Sequence, residues 1–222
     1  MTVSEYLDYS ATMPIDPVTP SPDTARGRPL GFDRTALDQS LMLAFWEFGW
    51  NGASYPRLEQ RTGVARSSLG NSIGPKSALL IAGLERYQLL LKDRLFNPMR
   101  DGEAGLDDIR AFFFRLREGK KTNPGRWGCL MAITMTEVGV ANPAAVRLTS
   151  EYRQLLGGAI SAALRRAHAH GEIKHDVAAL LSPALVAAAI GLNAEARAGA
   201  NDAELDALVD GVNGILSLLA SK

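Results

Sequence analysis

The 222-residue chain has few of the residues from which metal and redox sites are built. Its one cysteine, Cys129, excludes an intrachain disulfide and suits a reducing cytosol. The three histidines, His168, His170 and His175, are not joined by a Cys or acidic cluster that would complete a tetrahedral set, so we expect no metal and no cofactor. The segment Glu118-Gly119-Lys120-Lys121 lacks the upstream glycines of a phosphate loop. Because no catalytic motif is recognised, we predict that the protein is not an enzyme.

The sequence also shows no long apolar run and no recognisable targeting segment. No run approaches the roughly 18 residues of a membrane span, and residues 1–23 carry no Lys or Arg with which a signal peptide would begin. We therefore expect a cytoplasmic protein. The sequence shows no β-strand alternation and no internal repeat, whereas apolar residues recur at helical spacing, so we predict an all-α fold.

Net charge is zero, with 24 basic and 24 acidic residues, but the charges are unevenly distributed. Residues 1–23 carry four acidic side chains, and residues 24–87 carry eight basic and five acidic ones. A basic module within a neutral chain is a modest electrostatic indication of a DNA-binding surface.

Prolines at positions 14, 17, 20, 22 and 29 predict an extended or disordered leader over residues 1–31. The first helix is expected to start after Asp33, a good N-cap residue, and to end near Gly49. Its predicted buried face is Leu37, Leu41, Phe45 and Phe48.

The next residues follow the order of a helix-turn-helix. Ser54 caps a short helix with Pro56 in its first turn, Gly63 forms a turn, and a second short helix, 65–73, ends at Gly74-Pro75. A long helix follows from about residue 77, and further helices are predicted at 106–117, 126–139, 143–169, 176–198 and 202–220. We therefore predict three parts: a leader (1–31), an N-terminal three-helix DNA-binding domain (32–76), and a larger C-terminal helical bundle (77–222).

Several short matches lie in order within residues 33–86. They are Ala44-Phe45 followed by Gly49, then Ser54, Leu58, Gly63-Val64, Ser68-Leu69 and Lys76. Together they resemble the DNA-binding domain of the TetR/AcrR family of bacterial transcriptional repressors. More loosely, the segments 128–130, 164–166 and 171–173 resemble the ligand-binding half of one subgroup. The resemblance implies a homodimer, a double-stranded DNA operator with two half-sites, and a small-molecule inducer.

The second short helix is the expected recognition helix. Arg66, Ser67, Ser68 and Asn71 are expected at base edges, where Arg pairs with guanine and Asn with adenine. Ser54, Tyr55 and Lys76 are expected at phosphates. The alternative is that the polar residues of this helix are only solvated. The chain departs from the family at Gly70, where an aromatic residue is usual, and at Ile73, where Phe is usual.

Arg26 and Arg28 flank a glycine and precede Pro29. Such an arm fits a narrow minor groove, whose negative potential attracts Arg, so we expect both to bind DNA. The alternative is a flexible basic linker.

The bundle is expected to hold a small apolar or amphipathic ligand. The predicted cavity residues are mostly aromatic or apolar, with Glu137 or Asn193 as a polar contact: Phe112, Phe113, Trp127, Met131, Met135, Tyr152 and Leu156. The alternative, which is favoured for each residue taken singly, is that these are ordinary core residues. The last two helices are expected to pair with their copies in a dimer, because Ala184, Ala188, Gly191 and Ala196 permit close approach; an intramolecular core is the alternative.

The favoured interpretation is a ligand-responsive repressor that acts as a homodimer on a pseudo-palindromic operator. The alternative is a helical small-molecule-binding protein or enzyme with a vestigial helix-turn-helix, motivated by Gly70 and the zero net charge.

Overall fold

The computed structural model describes residues 33–220, which are all-α as predicted. One isolated bridge joins Ile173 to Ala220, and these residues form no sheet. Within residues 33–220 there are ten α-helices: α1 (Arg34–Gly52), α2 (Tyr55–Thr62), α3 (Arg66–Ser72), α4 (Lys76–Leu91), α5 (Asn97–Arg100), α6 (Leu106–Glu118), α7 (Leu130–Glu137), α8 (Pro143–Ala169), α9 (Ala178–Ala198) and α10 (Asp202–Leu219). A π-helical turn, Lys92–Phe96, joins α4 to α5. The predicted leader lies outside the described residues.

The first helix begins where its cap predicts. The Asp33 carboxylate accepts a hydrogen bond from the Thr35 backbone N–H at 2.8 Å, which satisfies a donor at the start of α1. Helical backbone is interrupted at Gly49, where φ is 68°, a conformation that favours glycine. Leu37, Leu41 and Phe45 are fully buried, so the predicted inner face is confirmed at these positions.

The next two helices have the predicted helix-turn-helix geometry. Ser54 is the N-cap residue of α2, and Gly63 closes it in the left-handed conformation, with φ 68°. Leu58 and Leu69 are fully buried, and Val64 is buried between the two helices. These contacts leave the opposite side of α3 open to solvent.

The bundle is built around α8, the longest helix. The Asn142 side chain caps it by accepting hydrogen bonds from the N–H groups of Ala144 and Ala145. Two ion pairs tie the neighbouring elements together: Arg166 with Asp108, and Arg117 of α6 with Asp206 of α10. Buried apolar side chains form one continuous core from α1 to α10, so the helix-turn-helix is packed directly onto the bundle.

Two expectations were wrong. The helix predicted at 126–139 begins only at Leu130, because Gly128 has φ 85° and Cys129 is extended. No long apolar stretch was expected, yet α9 is long and apolar enough to cross a membrane by length and composition alone. Its many alanines raise the mean hydropathy without forming one unbroken apolar run. In the fold α9 packs against α8 and α10.

The approach of the loop before α6 to helix α8 has a testable consequence for stability. A Cβ on Gly105 would lie 2.4 Å from the Ala167 Cα, whereas one on Gly158 of α8 would meet nothing within 4 Å. We expect Gly105→Ala to lower the free energy of unfolding by about 1–3 kcal/mol through overpacking. The control, Gly158→Ala, should be neutral or stabilising by up to about 1 kcal/mol. Urea unfolding measures both, and equal effects would contradict the packing described here.

Candidate nucleic-acid interface and ligand cavity

The outer side of α3 presents the polar residues predicted to read DNA bases. Arg66, Ser67, Ser68 and Asn71 are all exposed, and Leu69 anchors the helix inward. The four side chains therefore share one short, solvent-facing element. Their contact with bases stays a prediction.

Two residues of α2 hold the start of α3. The Arg66 guanidinium carbon lies 4.1 Å from the centre of the Tyr55 ring, in a cation–π arrangement. The Arg66 backbone N–H donates to Glu59 Oε1 at 2.5 Å, which places a carboxylate at the positive end of α3. The Tyr55 hydroxyl also accepts a hydrogen bond from the Lys76 backbone N–H at 3.1 Å. Tyr55 thus links α2, α3 and α4.

Lys76 is turned toward the end of α1. Its ammonium donates to the Trp50 carbonyl at 2.6 Å and lies 4.4 Å from the Trp50 ring centre. Burial lowers the Lys76 pKa, and the charge of Glu137 partly opposes that shift. Ser54 is exposed and makes no side-chain capping bond. Phosphate contacts by Ser54, Tyr55 and Lys76 stay predictions, and Arg26 and Arg28 lie outside the described residues.

The position of Gly70 on α3 is open. A Cβ there would meet nothing within 4 Å, so the protein itself leaves room for a larger side chain. Residues 70–74 read Gly-Asn-Ser-Ile-Gly, which matches the Gly-x-Ser-x-Gly pattern of hydrolase nucleophile elbows. That motif requires a strand-to-helix turn, whereas Ser72 is the last residue of α3. The pattern therefore lacks its catalytic context.

A cavity of about 120 Å³ lies where α1, α4, α6, α8 and α9 meet. Its lining is mainly apolar and aromatic: Trp46, Tyr87, Leu90, Leu91, Arg94, Leu95, Phe96, Phe112, Arg115, Leu116, Gly119, Lys120, Thr122, Pro124, Gly125, Cys129, Tyr152, Ala189 and Asn193. An apolar pocket with a few convergent polar groups is the usual form of a small-molecule site.

Two of the seven predicted ligand contacts, Phe112 and Tyr152, line this cavity, as does Asn193. The other five are core or partly buried residues outside the lining: Phe113, Met131 and Leu156 are buried, and Trp127 and Met135 are half-buried. Ligand contact by all seven stays a prediction, and Glu137 lies elsewhere, beside Gly49.

Most of the lining was not predicted from the sequence, and the missed residue with the most distinctive chemistry is Lys120. It is only 4% exposed, although it lies in a glycine-flanked polar segment that resembles a surface loop. Its ammonium donates to Asn193 Oδ1 at 2.6 Å and lies 3.5 Å from the Gly128 carbonyl oxygen. Burial lowers the Lys120 pKa from its ordinary value of 10.5 to about 8. Nothing in the local sequence signals this burial.

The cavity and the helix-turn-helix share α1. The Trp46 indole N–H donates at 3.1 Å to the same Gly128 carbonyl that Lys120 approaches. Arg197 of α9 donates to the Trp127 carbonyl at 2.9 Å and to the Trp46 carbonyl at 3.2 Å. Gly128 and its neighbour Trp127 are therefore connected to α1 by hydrogen bonds.

A second contact joins the bundle to the end of α1. Glu137, at the end of α7, accepts a hydrogen bond from the Asn51 backbone N–H at 2.9 Å. Its carboxylate also fills the space beside Gly49, where a Cβ would lie 2.5 Å from Oε1. The positive φ of Gly49 favours glycine at this position, and a larger residue would also displace the Glu137 carboxylate.

Comparison with known proteins supports the fold assignment. No protein-family model matches the chain. The HTH-type transcriptional repressor ComR of Escherichia coli (strain K12) is 31% identical over 105 residues, which are 46% of this chain and 50% of ComR. The chain thus matches about half the length of this curated relative.

Solved structures match over most of the chain. A TetR transcriptional regulator from Chloroflexus aurantiacus is 20% identical with a TM-score of 0.74, covering 84% of this chain and 95% of that one. The TetR-family regulator CifR, in complex with a 26-base-pair operator, is 21% identical with a TM-score of 0.72, covering 83% and 96%. The chain has the all-α fold of TetR-family transcriptional regulators, and the resemblance predicted from the sequence is confirmed.

Replacing Lys120 with Met tests the effect of burying its ammonium. Because folding lowers this pKa from 10.5 to about 8, the unfolded chain binds the proton more tightly between these values. The contribution of Lys120 to the free energy of unfolding therefore rises with pH from about 8 to about 10.5, by about 3 kcal/mol in total. In urea unfolding, we expect the free energy of unfolding of the wild type to rise relative to that of Lys120→Met across this pH window. The control, Lys121→Met, should keep a constant difference from the wild type. A constant difference between wild type and Lys120→Met would contradict the buried charge.

Proposed function

We propose that this chain is a cytoplasmic, ligand-responsive transcriptional repressor of the TetR family. It binds a pseudo-palindromic DNA operator as a homodimer and is released by a small molecule held in the bundle. One observation carries the proposal: the exposed recognition helix and the internal cavity are joined through α1, whose Trp46 lines the cavity. The operator complex of CifR, a protein of the same fold, supports the DNA partner.

DNA recognition is assigned to the exposed polar face of α3. Arg66 suits bidentate hydrogen bonding to guanine and Asn71 to adenine, while Ser67 and Ser68 discriminate less. Stacking on Tyr55 restricts the Arg66 side chain before DNA arrives, which reduces the entropy lost on binding. Arg26 and Arg28 are proposed to add minor-groove contacts, and Ser54, Tyr55 and Lys76 to meet phosphates.

The homodimer is assigned to α9 and α10. Four large apolar side chains on these helices are exposed: Leu180 (82%), Leu208 (43%), Ile215 (48%) and Leu218 (88%). Apolar surface of this kind is a mark of a protein interface. Of the small residues expected there, Ala184 is exposed, Ala188 and Gly191 are half-buried, and Ala196 is buried in the chain's own core. The accessible small residues Ala184, Ala188 and Gly191 support close approach of a second copy.

Induction is assigned to a change in the spacing of the two recognition helices. A dimer on adjacent major grooves needs half-sites about 34–36 Å apart, one turn of DNA. A ligand that binds better to a dimer with a different spacing shifts the population away from the DNA-binding form, by no more than that difference in affinity. Trp46, Arg197 and Glu137 connect the bundle to α1 and are the contacts through which we propose that the shift acts.

Selection of bound sequences from a random duplex pool, at two salt concentrations, tests the proposal. We expect enrichment of a pseudo-palindrome whose half-sites lie one helical turn apart, since a two-fold dimer reads two-fold sites. Binding without enrichment, lost uniformly as salt rises, would instead indicate nonspecific attraction to phosphates. In that case the alternative, a ligand-binding protein with a vestigial helix-turn-helix, would be favoured.

Two substitutions on α3 test base readout on the selected operator. We expect Arg66→Ala or Asn71→Ala each to weaken binding by about 1–3 kcal/mol and to relax sequence preference at one position per half-site. Arg153→Ala, which removes an exposed Arg from α8, is the matched control and should leave affinity unchanged. Competition titrations against single-base operator variants measure both effects. Loss of affinity with unaltered preference would show that these residues contact phosphates instead.

A further inference from the structure

The charge of the ligand cavity is one-sided. Three basic side chains, Lys120, Arg94 and Arg115, belong to its lining. The lining contains no Asp or Glu among the residues that the structure describes. A concave, weakly polar site lined by charge of one sign concentrates ligands of the opposite sign.

Lys120 has few hydrogen-bond acceptors among its described surroundings, and Cys129 of the lining only partly opposes the lowering of its pKa by burial. An ammonium has three N–H donors, and here it makes one short hydrogen bond, to Asn193 Oδ1 at 2.6 Å, and one long contact, to the Gly128 carbonyl at 3.5 Å. Both acceptors are neutral. A buried charge is costly unless it is paired, and the lowered pKa of Lys120 is a consequence of that cost.

The rest of the cavity selects for an apolar body of limited size. Five aromatic residues line it: Trp46, Tyr87, Phe96, Phe112 and Tyr152. Its volume of about 120 Å³ is similar to that of an engineered apolar cavity of about 150 Å³ that holds benzene. One aromatic ring or a short alkyl chain fits this space.

We propose that this cavity binds a small amphipathic anion, in which an acid group pairs with the ammonium of Lys120 and an apolar ring or short chain packs among the aromatic residues. A carboxylate accepts charge-assisted hydrogen bonds, which are shorter and stronger than neutral ones. The acid group therefore supplies a carboxylate counter-charge, which no Asp or Glu of the described lining provides to Lys120.

The position of Lys120 also indicates how such an anion acts as an inducer, a step that rests on the proposed function. Lys120 and Trp46 both approach the Gly128 carbonyl. An anion that draws the ammonium toward itself weakens the contact of Lys120 with that carbonyl, which Trp46 of α1 continues to engage. The effector thus acts beside the hydrogen bond that joins the bundle to the DNA-binding part.

Isothermal titration calorimetry on the purified protein without DNA tests the ligand class. The probes are phenylacetate, 3-phenylpropanoate and 4-phenylbutanoate, each compared with the primary amide and the primary amine of the same chain length. We expect the best carboxylate to bind at least about tenfold more tightly than its amide, a difference of about 1.4 kcal/mol. The amines should bind least, because the site is already cationic.

Two variants assign the preference to Lys120. Lys120→Met should remove the advantage of carboxylate over amide, and Lys121→Met, in the exposed neighbouring residue, should retain it. Asn193→Asp nearly preserves shape but places a carboxylate beside the ammonium. It should therefore reduce carboxylate affinity to that of the amide while leaving amide affinity intact, which keeps the test valid if Lys120→Met fails to fold.

Three results would overturn the inference: no carboxylate binds in the millimolar range, amides or amines bind as tightly as carboxylates, or the carboxylate preference survives in both Lys120→Met and Asn193→Asp. Since the titrations contain no DNA, any of these counts against the ligand class alone. Failure to enrich an operator counts against the proposed function alone.

Discussion

The hydrogen bond from the Trp46 indole N–H to the Gly128 carbonyl is the contact on which the relation between the two parts of the protein depends. Trp46 belongs to α1, which packs against the helix-turn-helix, yet its ring packs against Tyr87 and Trp127 and lines the cavity. Gly128 meets it with a positive φ that favours glycine, and a Cβ there would lie 2.7 Å from the Asn193 carbonyl oxygen. The α1 helix is therefore a wall of the cavity and also packs against α2, so the proposed ligand site and the helix-turn-helix share one helix.

The two charged groups near this bond, Glu137 and Lys120, differ in how well their charges are compensated. Glu137 is paired with a backbone N–H of α1 and lies close enough to Lys76 to raise its pKa against the effect of burial. Lys120 hydrogen-bonds to neutral acceptors, and burial lowers its pKa to about 8 although the charge of Cys129 partly opposes that shift. A paired contact of the first kind stabilises one arrangement of the two parts. A buried ammonium such as that of Lys120 is costly when it lacks a charged partner. An anion that pairs with it would lower this cost and thereby stabilise the folded protein, without any rearrangement of the apolar walls.

Local chemistry explains why so much of the fold was predictable from the sequence. Helix ends are set by local residues such as Asp33, Gly63 and the Gly74-Pro75 pair. Each of these caps or stops a helix through its immediate neighbours, so the boundary does not depend on distant parts of the chain. The cavity depends on contacts between residues far apart in sequence, and local patterns carry no record of these. Lys120 lies 73 positions from Asn193, so its polar, glycine-flanked segment looks like solvated loop. Phe113 and Leu156 are apolar like the residues of a pocket, but they are buried in the core outside the cavity lining. Helical periodicity identifies the buried face of a helix, but it does not indicate which buried residues line a cavity.

Gly70 requires a different explanation from the rest of α3. In a helix of seven residues a glycine lowers helix stability by about 1 kcal/mol relative to Ala, and the open space around it shows that no packing within the chain demands it. Compensation comes from outside the helix: Glu59 satisfies the first N–H of α3, Tyr55 stacks on Arg66, and Leu69 is fully buried. A recognition helix that is supported from both sides does not need high intrinsic helicity. Gly70 is therefore compatible with a stable α3, and it leaves the backbone of that helix uncovered by a side chain.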